Sequence, residues 1–204
     1  MFLAKTPAFL PFLMPSYTWR VPTTEKILYL TFDDGPIPVV TPWVLETLRT
    51  YAAKATFFCV GDNVQKHPEV FQQVISEGHA VGNHTFNHLN GWKTDTNTYL
   101  ENVAQCSRVF NSKLFRPPYG RLRPQQLKAL KSEYQIVMWD ILSGDFSQKI
   151  SGDTCLQQVM QYARPGSIVV LHDSLKAERN LRYVLPRVLE GLGGEGFRFE
   201  ALKP

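Results

Sequence analysis

Ile27-Leu28-Tyr29-Leu30-Thr31-Phe32-Asp33-Asp34-Gly35-Pro36 is the stretch from which the fold reads outward. Its first six residues are apolar, aromatic or β-branched, and predict a buried strand over Ile27–Phe32. Two adjacent carboxylates follow. They repel each other, and neither belongs in an apolar core without a positive partner. The same unit, a short apolar run closed by polar residues, recurs at Ala55–Val60, Ala80–Asn83, Leu114–Arg116, Ile136–Trp139, Ser167–His172 and Phe197–Ala201. Between these runs lie amphipathic patterns near Val39–Tyr51, Asp62–Glu77, Thr98–Phe110, Pro124–Lys131 and Thr154–Tyr162. The clearest helix follows: Leu181, Val184, Leu185, Val188, Leu189 and Leu192 form one apolar stripe at helical spacing. Asp62 and Asp153 are the expected caps of two helix N-termini, and Gly78 follows a helix end.

Strand–helix alternation along a whole chain means a parallel sheet with helices outside it. About seven repeats in 204 residues predict an α/β fold and favour an irregular barrel, with an open parallel sheet as the alternative. No linker, low-complexity segment or internal repeat divides the chain, so residues 1–204 read as one domain. In such a barrel, functional groups sit at the C-terminal ends of strands. Asp33 and Asp34, His84, Arg116, Asp140 and Asp145, and His172 and Asp173 each follow a strand candidate, so all are expected on one rim.

Composition narrows the classes further. Hydrophobic residues make up 44% and charged residues 20%, which excludes a disordered chain. Lys and Arg number 22 against 18 acidic residues, a net charge of +4, and no basic run is present. Nucleic acid is therefore not an expected partner. No window of 18 uncharged apolar residues exists, so no membrane span is expected. Cys59, Cys106 and Cys155 form no CxxC and leave an unpaired thiol, the pattern of a reduced compartment. The apolar residues 1–24 are interrupted by Pro7, Pro11 and Pro15 and lead to no A-x-A cleavage site. They read as an arm packed on the domain rather than a secretory signal, and a cytoplasmic location is expected.

Five segments carry candidate chemistry. Asp33-Asp34-Gly35-Pro36 suits an acid pair, though an Asp-Gly turn with a capping Asp would look the same. His84-Thr85-Phe86-Asn87-His88 puts two imidazoles four apart, facing one way on a helix-like turn. With one of the two aspartates they make three ligands and an open position, the arrangement of a catalytic metal site rather than a closed structural one. In Arg116-Pro117-Pro118-Tyr119-Gly120 the prolines fix a turn. Arg116 can pair with the carboxylate that binds no metal, and the Tyr119 N–H can face a developing oxyanion. Asp140 and Asp145 follow Trp139. His172, past an apolar strand and with an aspartate to orient it, suits a general acid.

Together these five segments resemble the polysaccharide deacetylases of the NodB-homology type, carbohydrate esterase family 4. The resemblance runs from about Ile27 to Phe199. Its motifs stand in family order: TFDDGP, H-[ST]-x-x-H, RPPYG, an aspartate loop after a tryptophan, and Val170-Leu171-His172-Asp173. It implies a distorted (β/α) barrel of about seven parallel strands and metal-dependent removal of N-acetyl or O-acetyl groups from a sugar or polysaccharide. It implies that Asp33 is the general base and that Asp34, His84 and His88 are the metal ligands. Arg116 would hold the base, the Tyr119 main chain would donate to the oxyanion, His172 would be the acid and Asp145 its orienter. Zinc is the first expectation for the ion, and cobalt or nickel suits the same ligands. A carbohydrate is the expected partner, with no obligate protein partner.

Two positions depart from the family pattern. Many members have D-x-x-D-W in the fourth motif, and here the first Asp is Leu142 and the Trp is Phe146. The same site could serve a metal-dependent amidohydrolase on a small non-sugar amide. A non-catalytic carbohydrate-binding relative would be expected to lack one of the residues named above.

Overall fold

The computed structural model describes residues 2–203. Met1 and Pro204, the ends of the expected domain, lie outside the described residues. The strands are β1 (Tyr17–Thr18), β2 (Ile27–Asp33), β3 (Thr56–Cys59), β4 (Ala80–Asn83), β5 (Leu114–Phe115), β6 (Gln135–Val137), β7 (Ile141–Leu142), β8 (Ile168–His172) and β9 (Arg198–Phe199). The helices are α1 (Leu10–Leu13), α2 (Val40–Thr50), α3 (Gly61–Lys66), α4 (Pro68–Ser76), α5 (Thr96–Val109), α6 (Pro124–Leu130), α7 (Gly152–Tyr162) and α8 (Glu178–Gly194), with a 3₁₀ turn over Pro118–Gly120.

The strand order is β1-β6-β5-β4-β3-β2-β8-β7, every neighbouring pair is parallel, and β9 pairs with β2. This is a curled parallel sheet, a half-barrel, and its eight ordered strands are slightly more than the seven expected. The curl follows from connectivity. Six strand spacings separate β6 from β7, about 29 Å in a flat sheet. Val137 and Ile141 are only four residues apart, at most about 14 Å of extended chain. The sheet must therefore bend until β6 and β7 nearly meet.

The seam between them is crossed by the N-terminal residues. Lys5 bridges Ile141 in antiparallel sense, the Leu142 N–H donates to the Ala4 carbonyl at 2.8 Å, and the Thr6 N–H donates to Asp140 at 2.9 Å. Farther along, β1 pairs with the other edge strand, β6. The same segment thus binds both edges of the sheet.

Helices cover the convex face. The α8 stripe predicted from sequence is buried completely, from Leu181 to Leu192, at about 1.5–3 kcal/mol for each large side chain. One helix was expected over Asp62–Glu77, and two are present. Pro68 excludes the helical conformation at the preceding residue, and His67 takes φ −131°, ψ 56°. Neither expected cap is one. Asp62 lies inside α3 and pairs with Lys66, while Ser151 caps α7, with Asp153 in its first turn.

Among the described residues no helix is long and apolar enough to cross a membrane.

Candidate active site

Register sets the rim. Asp33 lies beside Phe58 of β3 and His172 of β8. Asn83 is level with Cys59 on one side and with Phe115 on the other. His84 and Arg116 therefore leave the sheet level with each other, two residues beyond the row of Asp33, Phe58 and Gly82. Asp33 and His84 open into one cleft of about 830 Å³ that also takes in Asp34, His88, Tyr119, Trp139, Leu142, Phe146 and His172, while Arg116 stays buried behind Asp33. Asp140 does not join them. Its backbone is level with Ile168 at the start of β8. Its carboxylate takes Arg164 at 3.0 and 3.1 Å and Ser167 at 2.8 Å. It lines a separate cavity at the opposite end of the barrel. The expectation of a single shared rim fails for Asp140 because three residues after β6 carry the chain back down to the start of β7.

Asp34, His84 and His88 form a group whose ligand atoms lie within 4.8 Å of one another. The Asp34 Oδ1 is 3.2 Å from His88 Nε2 and 3.9 Å from His84 Nε2. The imidazoles converge by a different route from the one expected. Residues 84–88 form no helix turn; Thr85 and His88 sit at φ 63° and 56° and fold the loop back on itself. Asn102 pins that loop by accepting from the Phe86 and Asn87 N–H groups at 2.9 and 3.0 Å. Asp34 (φ 86°) and Tyr119 (φ 60°) are also left-handed. At roughly 1–3 kcal/mol each, such strain persists only where surrounding contacts impose it.

The chemistry of the three donors fits a divalent cation. The Arg116 carbonyl lies 2.7 Å from His84 Nδ1, so that nitrogen carries the proton and Nε2 keeps a lone pair toward Asp34. Burial, with the neighbouring His88, pulls His84 down to about 4 against the pull of Asp33 and Asp34, so the ring is neutral near pH 7. Burial works to raise Asp34. The hydrogen bond from His88 and the charges of His172, His84 and His88 prevail and hold it well below the usual carboxylate range. The ligand set is two imidazoles and a carboxylate, with an open side toward the cleft.

Asp33 stands beside this group with its two oxygens divided. Oδ1 accepts from Arg116 at 2.7 Å, and Oδ2 faces His84 Nε2 at 4.0 Å. Arg116 is fully buried. It donates to Thr31 Oγ1, Val137 O and Met138 O at 2.7, 3.2 and 2.9 Å, and stacks 4.1 Å from the centre of the Phe58 ring. Asp33 therefore has a fixed orientation and one free oxygen.

On β8, His172 Nδ1 lies 2.7 Å from Asp145 Oδ1, and the His172 N–H donates to Oδ2 at 2.7 Å. Burial lowers the pKa of His172, but Asp145, with Asp34 and Asp33 behind it, outweighs burial and brings it to about 9. Phe146 packs edge-on to the His172 ring with centroids 5.1 Å apart, and Phe2 packs on Phe146 at 5.3 Å. The wall at the two departures from the family pattern is thus completed by the N-terminal segment. The Tyr119 side chain is exposed against His88. Its N–H donates to no protein group among the described residues.

Sequence reasoning missed several supports. Asn63 Nδ2 donates to the Asp34 carbonyl at 2.7 Å. Asp173 is fully buried, accepts from the Gly35 N–H at 3.0 Å and pairs with Thr41 Oγ1 at 2.6 Å. Its place in the VLHD motif was the available signal. Gly35 must be glycine, since a Cβ there would meet the Asp173 carboxylate at 2.0 Å.

A parallel half-barrel with this cleft at the strand C-termini has the architecture of the polysaccharide deacetylases. The polysaccharide deacetylase family model matches residues 20–137, and the chain belongs to that family, of NodB-homology and carbohydrate esterase family 4 type. A peptidoglycan-N-acetylglucosamine deacetylase of Bacillus cereus is 39% identical over 190 residues, 89% of each chain. A chitooligosaccharide deacetylase of Azorhizobium caulinodans is 33% identical, over 90% of this chain and 96% of its own. The crystal structure of the Bc1960 peptidoglycan N-acetylglucosamine deacetylase, in complex with an N-hydroxybenzamide, superposes with a TM-score of 0.88. Its identity is 30%, over 97% of this chain and 95% of that one.

Proposed function

We propose that this protein is a metal-dependent hydrolase that removes the N-acetyl group from N-acetylglucosamine units of a glycan, releasing acetate. The observation that carries the reading is one juxtaposition. The Asp34–His84–His88 group is flanked by a carboxylate held by Arg116 and an imidazole held by Asp145, all in one cleft. The names of the peptidoglycan and chitooligosaccharide deacetylases support the substrate class.

Asp34, His84 and His88 would hold the ion, zinc or else cobalt or nickel. When bound, it supplies Lewis-acid polarisation of the acetyl carbonyl and acidifies water. The free oxygen of Asp33 takes the proton of the attacking water, while Arg116 keeps the other oxygen engaged. The Tyr119 N–H donates to the oxygen that gains charge. His172, kept protonated by Asp145, gives its proton to the leaving amine.

The test is acetate release by the zinc-loaded protein from chitooligosaccharides, peptidoglycan and small acetamides. Turnover of the glycans and its loss on chelation are expected. Turnover of small amides alone would replace this reading with a non-sugar amidohydrolase. Metal binding without any turnover would replace it with a non-catalytic relative. Fractionation of the producing cells separates the expected cytoplasmic location from an envelope one.

A further inference from the structure

Several aromatics of the cleft take no part in the chemistry above, and of these Trp92 is the exposed one. Its side chain is 57% exposed, yet it is held on every side where protein can hold it. Nε1–H donates to the Leu122 carbonyl at 3.2 Å. The backbone N–H donates to Asn90 Oδ1 at 3.0 Å, and the backbone carbonyl accepts from Arg123 at 2.8 Å. The Arg121 guanidinium stacks on one face of the indole, 4.7 Å from its centre.

The loop beneath is equally fixed. Gln126, fully buried, donates to the Gly91 and Thr94 carbonyls at 3.0 and 3.3 Å. Gly91 lies so close to the Arg121 carbonyl that a Cβ would stand 2.3 Å from it.

These contacts use the polar atom of the ring and cover one face. What remains is a flat apolar face turned to solvent, at fixed orientation. A rigid aromatic face of this kind offers large contact area with little entropy lost on binding. Its position relative to the reacting centre is set by the chain. Arg121, which backs the indole, is two residues from Tyr119, so their Cα atoms lie within about 7.6 Å. The Tyr119 ring in turn packs on His88 at 4.8 Å. Trp92 thus lines the same cleft as Tyr119 and His88, on the side where Arg121 stands.

We infer that Trp92 is a stacking platform for a second sugar ring of the glycan, next to the unit that loses its acetyl group. The apolar C–H face of a pyranose matches the open indole face, and the sugar hydroxyls at its rim stay in water. The inference rests on the proposed glycan substrate and adds that the protein reads a chain of sugars rather than one.

The experiment is calorimetric binding of β-1,4-linked N-acetylglucosamine disaccharide and tetrasaccharide to the wild-type protein, Trp92→Ala and Trp92→Phe. Acetate release from the same oligomers is measured in parallel. The wild type should bind the tetrasaccharide about tenfold more tightly than the disaccharide. Trp92→Ala should cut that ratio to about two, and Trp92→Phe should keep most of it. A ratio unchanged in Trp92→Ala, or no length dependence in the wild type, would overturn the inference. Equal weakening on both lengths would mark a purely structural role and also overturn it. Absence of acetate release from the wild type counts against the proposed function, while the binding ratios still decide the role of Trp92.

Discussion

Replacing Asp145 by Asn removes one negative charge beside His172 and leaves a side chain of the same shape. In the wild type His172 stands at about 9 against an ordinary 6.5. At 1.36 kcal/mol per pH unit, that gap represents about 3.4 kcal/mol of net preference for the imidazolium. Burial opposes this preference, and Asp145 is the largest influence sustaining it. Without that charge burial draws His172 below 6.5. At pH 7.5 the protonated fraction then falls from nearly all to less than about one tenth, so a turnover loss of at least about tenfold is expected from protonation alone. Lost orientation of the ring adds to it. A cation on Asp34 cancels part of that carboxylate's pull, so the wild-type alkaline limb of the loaded enzyme lies somewhat under 9. The assay is kcat/KM against pH on an acetamide substrate, with metal content measured on the same samples. The limb should move to lower pH in Asp145→Asn while metal content stays constant, its apparent pKa belonging to the coupled set of groups. An unmoved limb with activity intact would refute the reasoning and remove both residues from proton transfer.

Asp33→Asn should retain the metal and lose nearly all turnover, because an amide cannot accept the proton of water; wild-type rates would show that Asp33 is not the base. His88→Ala should lose metal and activity together, and full occupancy by elemental analysis would remove His88 from the ligand set. Arg116→Met leaves Asp33 buried without its cation, so unfolding in urea should show a loss of about 3–5 kcal/mol; a loss under about 1 would mean that water replaces the guanidinium. Burial, with Asp34 adding, raises Asp173 to about 8 against the hydrogen bonds from Thr41 and Gly35. The folded protein therefore keeps a proton that the unfolded chain releases near 3.8, and stability falls as pH rises from there to about 8. Asp173→Asn should keep both hydrogen bonds and escape that fall, leaving it more stable by on the order of 1–3 kcal/mol at pH 8. Identical pH dependence in the two proteins would contradict this.

What the sequence disclosed follows from how local each signal was. The strands β2 and β8 are apolar runs long enough to read directly, and the α8 stripe is a pure periodicity. The two-residue strands β1 and β7 carry no such signal. Tyr17–Thr18 is a strand only because β6 lies beside it, and Ile141–Leu142 only because the curl brings it to β8. The spacing of His84 and His88 is legible, but their convergence comes from two left-handed residues rather than a helical repeat. Pro68 marks the break between α3 and α4, and its restriction on His67 overrides the apolar pattern spanning it. Asp140 was grouped with the rim by its sequence position alone, which does not reveal that the chain turns back before it. The supports of the site, Asp173 under Gly35 and Asn102 under the histidine loop, pair residues far apart in sequence, and only the folded chain brings them together.

The N-terminal segment that crosses the seam also bears on how molecules of this protein meet one another. A curled sheet that does not close has two rows of free backbone donors and acceptors, and such rows are templates for pairing with another chain. Here the antiparallel bridge at Lys5 occupies the β7 side and Tyr17–Thr18 occupies the β6 side. Residues 2–20 thus act as a built-in competitor for both edges. While they stay docked, intermolecular strand addition finds no opening. Their hold is built from the buried Thr6 and Trp19 and from Tyr17 packed on a core cluster. Protection of the sheet edges against another chain is therefore coupled to the packing of this segment on the barrel.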